Sequence, residues 1–325
     1  MEKGISSNKT TSSFPQFILS LVEAWKFKTS FNMKKISLLI MALLLSFSGF
    51  SQEDEDSEKS VIQQYTPSIL LKKGQWDIKW FNNLYTETKD LFGPNGDKRD
   101  IPRNTFFTST IDIFTGVSEN NTFNVGLLLE FRSNVVGGRD ALDVFSFDGE
   151  SGSARSGFTS FAPAIKFNPI KNVGNFTIQT AFHIPLVDNE VEDGVFLDQK
   201  GFIFQNRFFY DYSFAGGDWQ LFSELNTEYN FGKEEDSFAN NSLRLTPGLF
   251  LSYFPSSDFT ILALVQHSQL IDMGNNFSQD FTALGGGFKY QMTKELNIET
   301  LYTNFVRGND TGLGQTFNIG LRALF

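Results

Sequence analysis

The feature that most constrains this chain is an alternation of apolar and polar residues that recurs from Trp76 to the last residue. A β-strand turns successive side chains to opposite faces, so such alternation indicates a strand with one apolar face and one polar face. About twelve such segments, separated by turn signals, are distinguishable. They lie at residues 75–88, 104–117, 122–134, 158–168, 175–187, 202–214, 219–231, 242–254, 259–269, 281–292, 296–306 and 315–325.

The connections between these segments fall into two classes that alternate along the chain. The short ones lie at 118–121, 168–175, 215–218, 255–258 and 293–295. The longer ones lie at 90–103, 134–157, 188–201, 232–241, 270–280 and 307–314. Membrane β-barrels keep short turns at one end and long loops at the other, with both termini at the short end. A soluble β-sandwich or propeller is the alternative, but neither explains the alternation.

The final strand carries a more specific pattern. Apolar residues alternate from Phe317 to Phe325, and the last residue is aromatic. This end resembles the closing strand of Gram-negative outer-membrane β-barrels, which characteristically finish on Phe. The resemblance implies an all-β, transmembrane antiparallel barrel with short periplasmic turns and longer extracellular loops. It also implies that the barrel-assembly machinery reads Phe325, and that outer-membrane lipid and lipopolysaccharide surround the protein.

The start of the chain agrees with export. Residues 33–51 combine a basic start at Met33, an apolar run and small residues before a cleavage site, predicted after Ser51. Residues 1–32 are then interpreted as an extension upstream of the true start, although one long signal region is the alternative. Residues 52–74 are predicted to be an acidic periplasmic tail, solvated over residues 52–64, and residues 75–325 the barrel.

Composition excludes several classes of function. The chain has 27 basic and 37 acidic residues, and its first 51 residues hold six lysines and two glutamates, so the remainder has a net charge of −14. An acidic chain is a poor match for nucleic acid. With no cysteine and two histidines, neither a thiolate nor a multi-histidine metal site is available, and no cofactor is expected. The mean hydropathy of −0.19 argues against a helical membrane protein.

The polar faces of the strands supply the candidate functional residues. The apolar faces should contact lipid, and the opposite faces should line a lumen that is polar throughout. Acids and bases balance almost one for one on the predicted lumen face. The candidates for solute selectivity are Glu130, Arg132, Lys166, His183, Arg207, Asp211, Glu224, Glu228, Arg244, Lys289, Glu299 and Arg322.

The sequence leaves open what the lumen does. A narrow barrel could fill itself with ion pairs and act through its loops, or it could pass small polar solutes. Small residues on the lumen face, such as Gly126, Gly248 and Gly320, favour the channel. The longest connection, 134–157, could fold inward as a constriction, lie flat on the surface or contact a partner.

A membrane-embedded hydrolase is the least favoured alternative. His267 is predicted on the lipid face and its neighbour Ser268 points the opposite way, so they cannot form a nucleophile–base pair. His183 is predicted in the lumen without an acidic partner at a fixed spacing. We therefore expect no catalytic residue.

Overall fold

The computed structural model describes residues 66–92, 97–170, 172–274 and 276–325. The predicted extension 1–32, the export signal 33–51 and the cleavage after Ser51 lie outside these residues. The acidic stretch 53–58 lies outside them too. All of these stay predictions.

In the described part of the chain, twelve long strands form one closed antiparallel barrel, and a separate two-strand hairpin lies in one connection. The strands, in chain order, are β1 (Trp76–Asp90), β2 (Arg99–Gly116), β3 (Phe123–Val135), β4 (Ala154–Phe167), β5 (Phe176–Pro185), the hairpin strands β6 (Val191–Glu192) and β7 (Val195–Phe196), β8 (Ile203–Phe214), β9 (Trp219–Asn230), β10 (Ser242–Tyr253), β11 (Phe259–Asp272), β12 (Gln279–Gln291), β13 (Leu296–Asn309) and β14 (Gly312–Leu324). The predicted all-β antiparallel barrel of about twelve strands is therefore confirmed. None of the described helical segments has the length and apolar character needed to cross a membrane.

The barrel closes where its first and last strands meet. Trp76 N donates to the Phe325 carbonyl at 2.6 Å, and Phe325 N donates to the Trp76 carbonyl at 3.0 Å. Elsewhere each long strand pairs with its neighbour in the chain, except that β5 pairs with β8 across the hairpin. Closure leaves no unpaired edge, which removes the usual route to edge-to-edge aggregation. The role of Phe325 as an assembly signal stays a prediction.

The pairing register keeps the outer face and the lumen face continuous from strand to strand around the whole barrel. Residues directly opposite each other on paired strands share a face, as Lys79 and Arg322 do across β1 and β14. The other face is apolar and about half exposed, with Leu249 at 46% and Ile261 at 49%. The predicted separation into an apolar outer face and a lumen face is therefore present.

The connections at one end, here called the turn end, lie at 117–122, 168–175, 215–218, 254–258 and 292–295. Those at the opposite loop end lie at 91–98, 136–153, 186–202, 231–241, 273–278 and 310–311. The predicted long connection at 307–314 is wrong. There β12 pairs with β13 as far as Asn309, so backbone pairing continues after the apolar alternation has stopped. The chain then reverses in a two-residue turn, and the alternation of short and long connections is not strict.

The longest connection, 136–153, lies on the outer face. Phe145 packs edge-on against Phe107 with ring centroids 5.0 Å apart, and Phe147 packs similarly against Phe131 at 5.6 Å. The Ser133 hydroxyl donates to the Val144 carbonyl at 2.7 Å. Of the alternatives that the sequence left open, this loop therefore lies along the surface and does not constrict the lumen.

Candidate functional site

The lumen contains two cavities that meet at Gln205, which lines both. The inner cavity, of about 570 Å³, extends from the turn end and is lined by residues of most barrel strands. The outer cavity, of about 280 Å³, lies at the loop end. Both volumes are in or near the range of sites that hold small molecules.

The structure brings nearly all of the predicted lumen residues to these cavities. The inner cavity is lined by Lys166, Arg207, Glu224, Lys289, Glu299 and Arg322. The outer cavity is lined by Glu130, Arg132, His183, Glu228 and Arg244. Asp211 is buried at the turn end. Their role in solute selectivity stays a prediction.

Most of the lumen charges form ion pairs between neighbouring strands. Arg207 donates Nε to Glu224 at 2.7 Å, and Lys289 contacts Glu299, its direct cross-strand partner, at 2.9 Å. Arg322 binds Asp77 through two hydrogen bonds of 2.8 Å. Burying an unpaired charge is strongly unfavourable, so these pairs explain why acids and bases nearly balance on this face.

A loop predicted only as a long connection narrows the outer cavity. In connection 186–202, the Asp198 carboxylate lies 2.9 Å from Arg132 Nη1. Asn134 Nδ2 holds the same loop by donating to the carbonyls of Phe196 at 2.7 Å and Leu197 at 3.1 Å. The sequence did not single out Asp198, because nothing local distinguishes it from the other acids of the loops.

Arg132 serves two carboxylates at once. It also donates Nε to Glu130 at 2.7 Å, so Glu130 and Asp198 share one guanidinium. Burial raises the pKa of Asp198 to about 6 despite the opposing effect of Arg132, and the nearby Glu130 carboxylate adds to the rise. Asp198 can therefore change charge within the physiological pH range.

The two histidines lie on opposite faces. His267 is on the outer face and its Nδ1 contacts the Thr282 hydroxyl at 3.0 Å, while Ser268 points inward and contacts Arg244 Nη1 at 3.4 Å. This confirms that His267 and Ser268 cannot act together. In the lumen, His183 Nε2 lies 3.4 Å from Gln205 Oε1, and Glu130 lines the same cavity. Glu130 lies two strands away on β3, so no fixed spacing in the sequence could indicate that an acid shares this cavity with His183.

Residues 66–71, here called the N-terminal strap, run inside the turn end of the barrel. The Ser68 hydroxyl donates to Asp211, and the Thr66 hydroxyl donates to the same oxygen at 3.1 Å. The Thr177 hydroxyl donates to the Ser68 carbonyl at 2.5 Å. Because Asp211 lies on β8, five strands around the barrel from β1, the strap crosses the mouth.

An apolar anchor fixes the other end of the strap. Leu71 is 1% exposed and packs in a cluster with Phe114, Ala162 and Ala164. The strap falls within the predicted periplasmic tail 52–74, beyond the part predicted to be solvated, and its residues Ser68 and Leu71 are buried. The signal that could have located it is the apolar run at 69–71, which follows the polar tail directly.

The lumen wall is not polar throughout, as the sequence had suggested. Phe209, Phe222 and Phe250 line the inner cavity on β8, β9 and β10, with successive ring centroids 6.0 and 5.6 Å apart. Leu262 and Leu264 extend this apolar arc onto β11. Local alternation could not reveal the arc, since both faces of β11 carry apolar residues.

The small lumen residues differ in the space that they leave. A Cβ added at Gly126 would lie 2.4 Å from the Phe114 ring, so an aromatic side chain fills the position above this glycine. Gly320 lines the inner cavity, although a Cβ there would lie 3.2 Å from the Phe81 ring. The expectation that small residues leave the lumen open therefore fails at Gly126 but not at Gly320. Among the described residues, no group of three or more His, Cys, Asp or Glu could hold a metal ion.

Comparisons with known proteins support the fold. An outer membrane channel from Pseudomonas putida F1 superposes with a TM-score of 0.64 and 10% identity, covering 80% of this chain and 99% of that one. The beta domain of the Bordetella autotransporter BrkA gives a TM-score of 0.49 and 12% identity, covering 77% and 99% of the two chains. The KdgM porin gives 0.41 and 9% identity, covering 77% and 99%. No family model and no curated protein matches the sequence. The likeness to the Pseudomonas putida channel and the closed twelve-strand barrel together give this chain the fold of the broad porin-like class of outer-membrane barrels.

Proposed function

We propose that this protein is an outer-membrane channel for small polar solutes, with a lumen that the N-terminal strap closes in the resting state. The observation that carries the proposal is the pair of charge-lined cavities that together occupy the barrel interior. A barrel built only for rigidity would be expected to fill that space with side chains.

The proposal includes a location and an orientation. The apolar outer face matches a lipid-facing surface, and a closed barrel satisfies every backbone group of its strands within a bilayer. The turn end, which carries both barrel termini, would face the periplasm, and the loop end would face outward. Outer-membrane lipid, lipopolysaccharide and the barrel-assembly machinery are the partners that this location implies.

The narrow points of the route are the strap at the turn end and the Asp198 loop at the loop end. The strap is bound to the barrel wall by non-covalent contacts, namely side-chain hydrogen bonds at Asp211 and apolar packing at Leu71. Both contacts can therefore break and re-form. This supports a channel that switches between a closed and an open state.

The second candidate is a non-conducting barrel that acts through its loops, and the same strap favours it. A third candidate, a hydrolase, is disfavoured because Ser268 and His267 lie on opposite faces and because His183 contacts an amide in place of a hydroxyl. Because the strap lies across the lumen, it is compatible with both a gated channel and a non-conducting barrel. Conductance is therefore the measurement that distinguishes these two candidates.

Single-channel conductance of the refolded full chain in a planar bilayer tests the proposal. Leu71→Asp places a charge in the apolar anchor and should release the strap, because burying an unpaired charge is strongly unfavourable. Ile69→Asp is the matched control, since Ile69 lies on the same strap but is 39% exposed. We expect rare, small openings for the wild type and Ile69→Asp, and frequent, larger ones for Leu71→Asp.

Folding is checked by heat-modifiable migration on gels and by circular dichroism. If all three proteins fold and none conducts, the channel proposal is wrong and the non-conducting barrel replaces it. Equal, large conductance in all three would retain the channel and refute closure by the strap.

A further inference from the structure

We propose that the inner cavity binds a small organic monoanion, a monocarboxylate with an apolar, ring-sized body, whose carboxylate lies at Lys166. The proposal rests on the proposed function, because it names the class of solute that the lumen would take. It is carried by an unpaired cation, a neighbouring unsatisfied amide and the adjacent apolar arc.

Lys166 is a buried cation without a counter-ion in contact. Its residue is only 8% exposed, and its Nζ lies 3.9 Å from the centroid of the Phe114 ring. Within the described residues, no carboxylate lies within 4 Å of this ammonium and no acceptor binds it. The three N–H donors of a buried ammonium need acceptors, so a ligand carboxylate would meet an unfilled requirement.

The balance of charges that line the inner cavity also favours an anionic ligand. Its lining contains five basic residues, Lys79, Lys166, Arg207, Lys289 and Arg322, and four acidic ones, Asp77, Asp112, Glu224 and Glu299. Three of the acids are paired within 4 Å with arginine or lysine, and Asp112 lies directly opposite Lys79 across β1 and β2. One positive charge remains, and a single carboxylate would neutralise it.

A second donor lies beside the first. Gln179 is the direct cross-strand partner of Lys166, is 1% exposed and lines the cavity. Its Nε2 has no hydrogen-bond partner among the described residues. A carboxylate has two acceptor oxygens, and one carboxylate at this position could accept from both Lys166 and Gln179 with a small movement of the amide.

The apolar arc lies next to these donors. In register, Gln179 on β5 is followed by Arg207 on β8, and Phe209 is the next lumen residue of that strand. Phe209, Phe222 and Phe250 then continue across β9 and β10. A ligand with its carboxylate at Lys166 would place a ring-sized body against this arc, and burial of apolar surface would stabilise it. Fully hydrated sugars or inorganic anions would leave the arc unused.

Binding to the full chain in detergent tests the proposal without requiring conductance. Isothermal titration calorimetry with benzoate, benzamide, benzylamine and acetate separates the contribution of the ligand's charge to affinity from the contribution of its apolar ring. We expect benzoate to bind most tightly, benzamide and acetate at least about tenfold more weakly, and benzylamine not at all. Equal affinity for benzoate and benzamide, or no benzoate binding by the folded protein, would overturn the proposal.

Variants locate the site. Lys166→Met should weaken benzoate binding at least about tenfold, the effect of losing one hydrogen bond to a charged group, while Lys166→Arg should retain much of it. Lys98→Met, at an exposed position in a loop-end connection, is the matched control. Phe222→Ala should weaken binding and Leu225→Ala, on the outer face of the same strand, should not. Wild-type affinity in Lys166→Met would refute the assigned position.

The two proposals fail separately. Benzoate binding by a barrel that never conducts would retain the site and refute the channel. Conductance without benzoate binding would retain the channel and refute the monocarboxylate.

Discussion

Removing the Arg132 guanidinium is the sharpest test of how the outer cavity discriminates between ions. Arg132 faces two carboxylates, Glu130 at 2.7 Å and Asp198 at 2.9 Å. At neutral pH the ionisable lining residues other than His183 are three acids and two bases, with Glu228 and Arg244 completing the set. Arg132→Ala removes one positive charge and leaves both carboxylates unpaired. Because Arg132 holds the pKa of Asp198 down, the measurement is made at alkaline pH, where both carboxylates are ionised and the net charge of this cavity changes from −1 to −2.

The size of the effect follows from Coulomb's law. One unit charge at about 4 Å from a passing ion contributes about 1 kcal/mol in bulk water and about 4 kcal/mol at an effective dielectric constant of 20. Even the lower figure changes permeation about fivefold for a cation and about fivefold in the opposite sense for an anion. Allowing for screening by salt, the cation-to-anion permeability ratio should rise about tenfold.

The assay is the reversal potential in a planar bilayer across a tenfold KCl gradient. The loop that carries Asp198 keeps its two hydrogen bonds from Asn134, so the change in charge is the principal change at the site. Arg139→Ala is the control, because Arg139 pairs with Asp143 and Glu150 in the surface loop 136–153. An unchanged reversal potential in Arg132→Ala, or a shift toward anions, would refute the assignment of the outer cavity as a selectivity site.

Three further predictions follow from the same structure. Glu224→Ala leaves Arg207 unpaired and should shift the reversal potential toward anion selectivity. It should also lower the free energy of unfolding, measured in urea, by about 3–5 kcal/mol. A shift toward cation selectivity would contradict this prediction. Because the pKa of Asp198 is raised to about 6, selectivity should move toward anions as pH falls from 7.5 to 5, and Asp198→Asn should remove that dependence. A raised carboxyl pKa also means that its stabilising contribution is present at low pH and lost as pH rises through 6. Gly126→Ala, whose Cβ would lie 2.4 Å from Phe114, should lower stability by about 1–3 kcal/mol, whereas Gly149→Ala, with nothing within 4 Å, should not.

Much of the barrel was predictable from the sequence because strand alternation is a local property. The segment predicted at 242–254 is observed as Ser242–Tyr253, and the one at 122–134 as Phe123–Val135. Strand ends were less predictable where backbone pairing between strands extends beyond the stretch of alternating apolar residues. β11 continues to Asp272 and β13 to Asn309, beyond the predicted ends at 269 and 306. Backbone hydrogen bonds need only a partner strand, so they persist after the lipid-facing pattern stops.

The candidate site was predictable residue by residue but not as an arrangement. Alternation placed Arg207, Glu224, Lys289 and Glu299 on the lumen face, and the structure brings each to the inner cavity. Which acid meets which base depends on register between strands, and that is set by the closed sheet. Asp198 was missed because it reaches Arg132 from a loop 66 residues along the chain, counted by residue number.

The sequence by itself determined the strands, their two faces and the end of the barrel at which β1 begins and β14 finishes, because each follows from a period of two and the position of turns. Only the tertiary structure decided what occupies the lumen. The strap lies inside the lumen because Leu71 packs in an apolar cluster with residues of β2 and β4. The loop 186–202 lies inside the lumen because Arg132 and Asn134 bind it. The loop 136–153 stays outside because its phenylalanines find others on the outer face. Whether each segment lies inside or outside the lumen depends on contacts between residues that become neighbours only when the barrel closes. No local sequence pattern therefore predicts it.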